Sequence, residues 1–347
     1  MAGRAGDSRT RGPRWEWTDT MARRILVTGG AGMIGLEVCR QLMARGHLVH
    51  LFDLGEQVLR VQSAIPADAK VFFGSIADPA SLRAAMRDCD AIIHLAALLG
   101  VQRSESDKLQ CIEINIDGTK NVLECAVQHR IRKIVFASSS EVYGEPVANP
   151  VTEETPTQGK SVYAVTKLAG EELCKAYSQR YALKHVILRI FNCYGPYQAA
   201  QFVIPKFIRN VMHGRAPVVY GDGRQLRCYT YVSDTADATI RAALSGKVDG
   251  QVINIGSGEK PTSLVELARL IIRIGGKEGA LKPKVMKGFD ASDRCRSREV
   301  WERYCNPVKA LDLMGWKASV PLNEGIRRVF DCGVIFDRWA NLYDEDP

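Results

Sequence analysis

The sequence predicts an α/β fold, a doubly wound parallel sheet with a smaller C-terminal lobe. Three observations lead there. Short continuous apolar runs alternate with amphipathic stretches through the first half of the chain, the pattern of strands buried on both faces under helices. A cluster of glycines joins the first apolar run to the first amphipathic one. Beyond "VILRIFNCYGP" (186–196) glycine, proline and aromatic residues become denser and the helical stretches shorter, which marks a second lobe.

In chain order, "RILVTGG" (24–30) reads as a strand and "GLEVCRQLMARG" (35–46) as a helix closed by glycine. "LVHLFDL" (48–54) and "AKVFFGS" (69–75) are further strands, followed by the helical "SLRAAMRD" (81–88). "DAIIHLAA" (90–97) and "KIVFAS" (133–138) are strands on either side of the helical "GTKNVLECAVQHR" (118–130). "GQVINIGSG" (250–258) returns to the sheet, and "TSLVELARLIIRIG" (262–275) is a helix. The chain therefore divides into a sheet lobe over 21–190, with a return segment at about 230–256, and a second lobe from 191–229 and 257–347. The cleft between them is the expected ligand site. Residues 1–20 lack the apolar core of a signal peptide and read as a disordered leader, with Met21 as an alternative start.

A chain of 347 residues, 46% hydrophobic and 25% charged, has the composition of an ordinary soluble protein and the length for two lobes. Its longest apolar run, "AIIHLAALLGV" (91–101), is too short to span a bilayer, so no membrane partner is expected. The net charge of +8 is dispersed, with no basic run interleaved with aromatics. That favours a pocket for an anionic small molecule over nucleic acid. Ten cysteines without a CxxC pair, and six scattered histidines, argue against a metal cluster and for a reducing cytoplasm.

Chemistry enters at "ILVTGGAGMIG". Gly29, Gly32 and Gly35 permit a tight turn, close approach of a pyrophosphate and close packing of helix on strand. The helix N-terminus that follows offers backbone N–H groups and a favourable dipole to phosphates. Asp53 ends the next strand, where a carboxylate accepts both ribose hydroxyls of NAD and repels a 2′-phosphate. The cofactor expected is NAD. Further on, "SVYAVTKLAG" puts Tyr163 and Lys167 four apart, on one face of a helix. A phenol near ~10 is a weak base at neutral pH, but a neighbouring ammonium and the charge of a bound nicotinamide favour the phenolate. Taken alone, the glycine turn is an ordinary strand–helix junction and the Tyr–Lys pair an ordinary surface pair. Their combination with serines after a strand, in "ASSSEVYG" (137–144), is what gives them meaning.

In these features together the chain resembles the extended short-chain dehydrogenases/reductases of the nucleotide-sugar epimerase/dehydratase/decarboxylase group. The matching segments run in family order: "TGGAGMIG", Asp53, "HLAA", "NIDGTKNVLE", "SSSEVYG", "YAVTK", "RIFNCYGP", "VIPKFI", "VYGDGRQLRCYTYVSD" and "VINIGSG". The resemblance implies a Rossmann-type sheet, NAD, a nucleotide-diphosphate sugar as substrate, and a homodimer paired through helices, with the Tyr163 helix and the 118–130 helix as candidates. It implies that Tyr163 takes the proton from a sugar hydroxyl, that Lys167 lowers its pKa and holds the nicotinamide ribose, and that Ser139 bonds the same hydroxyl. Met33, Ile34, Ser75, Ile76, Leu95, Ala96 and Ala97 would line the cofactor with the glycines. Ser140, Asn192, Val203, Lys206, Tyr220, Arg227 and Arg303 would face the substrate, the two arginines on its diphosphate. The chain departs from the family pattern at Ser75, where an aspartate usually meets the adenine; Asp78 lies just beyond. It also carries Ser139-Ser140-Glu141 where dTDP-glucose dehydratases carry Thr-Asp-Glu.

Glu141 then sets the reaction. A ketone at C4 acidifies C5, and a carboxylate there serves inversion at C5, loss of a C6 carboxylate or loss of a C6 hydroxyl; a simple 4-epimerase needs none. The expectation is an NAD-dependent epimerase working through a 4-keto sugar, with Glu141 as acid/base. UDP-glucuronate decarboxylation is the alternative, because decarboxylases of the family share the Ser-Glu pair and an arginine aligned with Arg303, although the stretch after "YGP" is short for them. A 4,6-dehydratase comes third. Two other readings are a non-catalytic NAD-binding regulator, which has no reason to keep Ser139, Tyr163 and Lys167, and a net reductase consuming NADPH, which Asp53 disfavours.

Overall fold

The computed structural model describes residues 21–99, 101–286 and 299–332. The leader expected at 1–20, and the last part of the second lobe, lie outside the described residues. Seven strands form the main sheet: β1 (Arg24–Thr28), β2 (Leu48–Asp53), β3 (Lys70–Phe73), β4 (Ala91–His94), β5 (Lys133–Ser139), β6 (Lys184–Ile190) and β7 (Val252–Ile255). Their order is β7-β6-β5-β4-β1-β2-β3, all parallel, which is a Rossmann-type doubly wound sheet. Strand order reverses at β1, so a crevice opens at the carboxyl ends of β1 and β4.

The alternation read from the sequence is the physical basis of the layers. Successive residues of a strand point to opposite faces. Ile25, Val27, Ile93, Val135, Val186 and Leu188 face one way, against helices α1 (Met33–Ala44) and α6 (Val232–Leu244). Leu26, Ile92, Ile134, Phe136 and Ile187 face the other, against α2 (Pro79–Met86), α3 (Gly118–Gln128) and α4 (Val162–Tyr181). A third core, around Tyr194, Phe207, Ile208, Leu267, Ile271 and Ile326, joins α5 (Val203–Met212), α7 (Leu264–Ile274) and α8 (Leu322–Asp331).

Local signals set the element ends. The first strand stops at Thr28 because Gly29 turns at φ 71, and α1 begins at Met33, earlier than the expected 35, because Gly32 is its N-cap. Asp78 caps α2, accepting from Ala80 N at 2.9 Å and Ser81 N at 3.1 Å, with Pro79 in the first turn. Ser263 and Glu266 form a capping box on α7. Asp234 of α6 accepts from Ser319 N, Ser319 Oγ and Val320 N at 2.8–3.0 Å, which fastens the C-terminal segment to the sheet lobe.

One polar cluster lies inside these apolar layers. The Glu171 carboxylate on α4 accepts from Arg189 Nε (2.9 Å), Arg189 Nη2 (2.7 Å) and Ser138 Oγ (2.6 Å). Arg189 Nη1 donates to Tyr143 Oη at 2.9 Å, and Tyr143 Oη donates to Asn254 Oδ1 at 2.7 Å. All five residues are buried. Removing one partner leaves a buried charge unpaired, so Arg189→Met is expected to cost about 3–5 kcal/mol in equilibrium denaturation. Adding Glu171→Leu to it should recover much of that loss; an Arg189→Met protein as stable as wild type would refute the pairing.

Candidate active site

The glycine turn crosses the carboxyl ends of β1 and β2. Gly29 N and Gly30 N donate to Phe52 O at 2.9 and 3.2 Å, which brings the turn onto Asp53. Asp53 Oδ2 accepts from Ala31 N at 2.9 Å and Oδ1 from Leu54 N at 2.8 Å, so the carboxylate is fixed with lone pairs to spare for hydroxyl donors. Burial raises its pKa, and the two backbone N–H groups work against that. A Cβ at Gly29 would come within 2.7 Å of Ala96 N, and one at Gly35 within 2.1 Å of Gly29 O. The surface here is therefore bare backbone, and Gly32 puts no side-chain cap on the first N–H groups of α1. That combination fits a dinucleotide pyrophosphate.

Around the turn, Met33 and Ile34 are half-buried in the first turn of α1. Leu95, Ala96 and Ala97 follow β4, with Leu95 N donating to Thr28 O at 3.0 Å, so they run beside Gly29. Ser75 Oγ accepts from Ala77 N at 3.1 Å, Ile76 is buried against Gly118, and Asp78 is occupied as the cap of α2.

The residues expected to react are brought together where α4 passes the end of β5. Lys167 is 4% exposed, and its Nζ donates to Ala137 O at 2.8 Å and lies 5.7 Å from the Tyr163 ring centroid. Enclosure pushes the Tyr163 phenol above its ordinary value, the Glu141 carboxylate adds to this, and a hydrogen bond with Ser139 opposes it. Tyr163, Ser139 and Glu141 thus share one site. Ser139 Oγ also accepts from Glu141 N at 3.2 Å and caps the short turn Ser140–Tyr143, in which Ser140 is buried.

Glu141 has a partner that its sequence position concealed. Its Oε1 is bonded by Nη2 of Arg303, whose side chain is 1% exposed, and Arg303 Nη1 donates to Gly144 O at 3.1 Å. Arg303 also lies in parallel register with Arg227 across Leu226–Arg227 and Glu302–Arg303. Arg227 donates to Leu226 O (2.8 Å), Trp301 O (3.2 Å) and Val300 O (2.6 Å); burial, and after it the charge of Arg303, push it down to about 10. Asn192 Nδ2 donates to Cys228 O at 3.1 Å, at a backbone φ of 33. Val203 and Lys206 lie half-buried on the first turns of α5, and Tyr220 pairs with Met286 in a two-stranded bridge.

Asn115 stands in "NIDGTKNVLE", where no spacing or chemical pairing in the sequence marks it. It lies in a π-helical stretch, Glu113–Asp117, accepts from Leu98 N at 2.7 Å and donates to Leu98 O and Thr166 Oγ1 at 3.0 Å each. Thr166 Oγ1 in turn donates to Tyr163 O at 2.8 Å, so Asn115 braces the Tyr163 helix against the loop after β4. His94 spans Thr28 (2.7 Å) and Thr119 (3.1 Å), and burial pushes it down to about 3, so it is a neutral structural link.

Burial lowers the Lys167 ammonium from 10.5 to about 8. Between those values the unfolded chain holds a proton that the folded chain has released, so this group makes stability rise with pH across the interval. The stability of wild type relative to Lys167→Met should therefore improve from about pH 8 to 10.5 in denaturant titrations. A difference that is flat, or falls, over that range contradicts a buried cation at 167.

Among the described residues, no group of three or more His, Cys, Asp or Glu side chains could hold a metal ion, and no helix is long and apolar enough to cross a membrane. The chain matches the model of the NAD dependent epimerase/dehydratase family over residues 25–256. It is 39% identical over 259 residues to the UDP-N-acetyl-alpha-D-glucosaminuronate decarboxylase of Bacillus cytotoxicus, covering 72% of this chain and 79% of that protein. Against a putative UDP-glucose 4-epimerase of Methanocaldococcus jannaschii it is 35% identical over 310 residues, 88% of this chain and 96% of that one. Its backbone is similar to that of the UDP-glucuronic acid 4-epimerase from Bacillus cereus in complex with UDP-glucuronic acid and NAD. There the TM-score is 0.79 at 28% identity, over 92% of this chain and 100% of that one. The chain therefore belongs to the NAD dependent epimerase/dehydratase family, the extended short-chain dehydrogenases/reductases, and NAD is its cofactor.

Proposed function

We propose that the protein acts on a nucleotide-diphosphate uronic acid, forming a 4-keto sugar and releasing the C6 carboxylate as CO2. The observation that carries this reading is the buried Arg303 guanidinium bonded to Glu141 within electrostatic reach of Tyr163. An epimerase working only at C4 needs neither a carboxylate nor a cation in that place. With Arg303 beside it, the charge of Glu141 is offset, which lowers its repulsion of a second carboxylate.

In this reading Tyr163 takes the C4 hydroxyl proton, Ser139 hydrogen-bonds that oxygen, and Lys167 favours the phenolate. The glycine turn and Asp53 would hold NAD, which would supply the hydride acceptor and donor for C4. The C6 carboxylate, now β to a ketone, leaves with its bonding pair going into the C4–C5 enolate. The proton that C5 gains comes from water, passed on through Glu141, which ends as the carboxylate it began as, and Tyr163 then gives its proton back to O4. Arg227 and Asn192 would hold the diphosphate region, and Lys206 and Tyr220 would face the substrate beside them.

Epimerisation at C4 or C5 is the second reading. The nearly full-length match to the Methanocaldococcus jannaschii protein and the short segment after Pro196 favour it. Mass spectrometry of products from UDP-glucuronate, UDP-N-acetylglucosaminuronate and UDP-glucose separates the two. A product lighter by CO2 is expected; unchanged mass with altered sugar couplings in NMR would establish the epimerase instead. Glu141→Gln should lower formation of the decarboxylated product by about 10²–10⁴-fold while C4 oxidation persists as reduced-nicotinamide absorbance. Full turnover in that variant would leave Glu141 as a turn residue.

A homodimer suits the exposed Leu109 and Ile112 of the helix Lys108–Ile112 and the exposed Val165 of α4. Sedimentation is expected to give a dimer at micromolar concentration, and a monomer there would exclude it.

A further inference from the structure

Residues 299–306 bring Arg303 to Glu141, and the loop after Glu141 reaches back to hold them. Glu145 Oε2 accepts from Trp301 N at 2.8 Å and Oε1 from Glu302 N at 3.3 Å. Asn149 Nδ2 donates to Glu302 O at 3.1 Å, and its Oδ1 accepts from Tyr304 N at 3.2 Å. Past Asn149 the pairing becomes backbone to backbone, with Val151 N on Tyr304 O at 2.8 Å and Asn306 N on Val151 O at 2.9 Å. The opposite edge of this strap rests on Leu226–Arg227, where Leu226 N donates to Trp301 O at 2.8 Å and Arg227 Nη2 to Val300 O at 2.6 Å.

The chemistry of the loop explains why side chains do this work. Pro146 and Pro150 have no N–H to offer a neighbouring strand. A carboxylate spanning two successive N–H groups, and a carboxamide matched to one C=O and one N–H, complete the ladder in their place. Both side chains are only half-buried, so neither is part of the apolar core. Their bonds fall on Trp301, Glu302 and Tyr304, which include the residues on either side of Arg303. The backbone of Arg303 is thus clamped immediately before and after the side chain that meets Glu141.

We propose that Glu145 and Asn149 are positioning residues that hold Arg303 against Glu141 and so set turnover of the nucleotide sugar. The inference rests on the role given above to the Glu141–Arg303 pair. Neither residue touches the glycine turn or Asp53, so NAD affinity is outside their influence.

The test is a double-mutant cycle in the full chain with NAD bound. Glu145→Ala and Asn149→Ala should each lower kcat/KM for the nucleotide sugar by about 10- to 100-fold, the scale of a 1 Å misplacement. NAD affinity and melting temperature should stay at wild-type values. Glu145→Gln, which keeps one acceptor oxygen, should fall between wild type and Glu145→Ala. In an Arg303→Ala background, Glu145→Ala should add no further loss, because the group it positions is gone. Hydrogen exchange at the Trp301 and Glu302 amides should quicken in Glu145→Ala. An equal loss in both backgrounds, or unchanged exchange at those amides, would overturn the proposal. Wild-type turnover in Arg303→Ala alone would instead overturn the reaction assigned to the pair, and a failed clamp is told apart from it by the amide exchange.

Discussion

Glu171 lies one helical turn beyond Lys167, and its carboxylate is shared between Arg189 on β6 and Ser138 on β5, next to Ser139. That contact fixes α4 against the sheet at the place where the reacting groups converge. Lys167, on the same face of the helix, is carried to Ala137 O, and Tyr163 is carried to Ser139. Through Arg189 the same contact reaches Tyr143, which closes the turn holding Glu141. An apolar interface would bury the helix as well but would allow it to slide; three directed hydrogen bonds to one carboxylate do not. The stability of such a pair is a weak argument for its presence, whereas the register that it imposes is a direct consequence of its geometry.

The electrostatics of the site follow from what surrounds Glu141. Arg303 is bonded to Glu141, Arg227 lies within the field of both, and the two arginines are in register as neighbours. Like charges that close disfavour one another, which is why Arg303 contributes to holding Arg227 below its ordinary value. The arrangement suits an anionic ligand, whose charge relieves both. Tyr163 lies on the other side of the balance: enclosure and Glu141 keep its proton on, so in the proposed reaction a phenolate would call for the positive charges of Lys167 and the nicotinamide.

The sheet was legible because its strands alternate between two apolar faces, and a residue such as Ile25 or Leu26 commits to a layer by position alone. The glycine turn and Asp53 were legible because phosphate and ribose chemistry limits which residues serve there. Tyr163 and Lys167 were legible through helical spacing. The Glu141–Arg303 bond was not, since its partners are 162 residues apart, one in a short turn and the other in a two-residue strand too short to carry a period. Arg189 left a clue in "VILRIF", a charge inside an apolar run that burial obliges to find a partner, but the identity of that partner needed the fold. Asp78 before Pro79 is a helix-start signal, and the structure uses it so.

The placement of β7 has a consequence for how the chain is made. This strand occupies the outer edge of the sheet beside β6, yet reaches it only after the polypeptide has travelled through the second lobe and back. During synthesis, β6 leaves the ribosome with one row of backbone donors and acceptors unsatisfied, and they stay so until some sixty further residues have emerged. A fragment ending near residue 190 would keep that row permanently open to pairing with other chains. The core around Tyr194 and Phe207 is distinct from the two cores of the sheet, yet the chain between β6 and β7 must emerge before the sheet is complete.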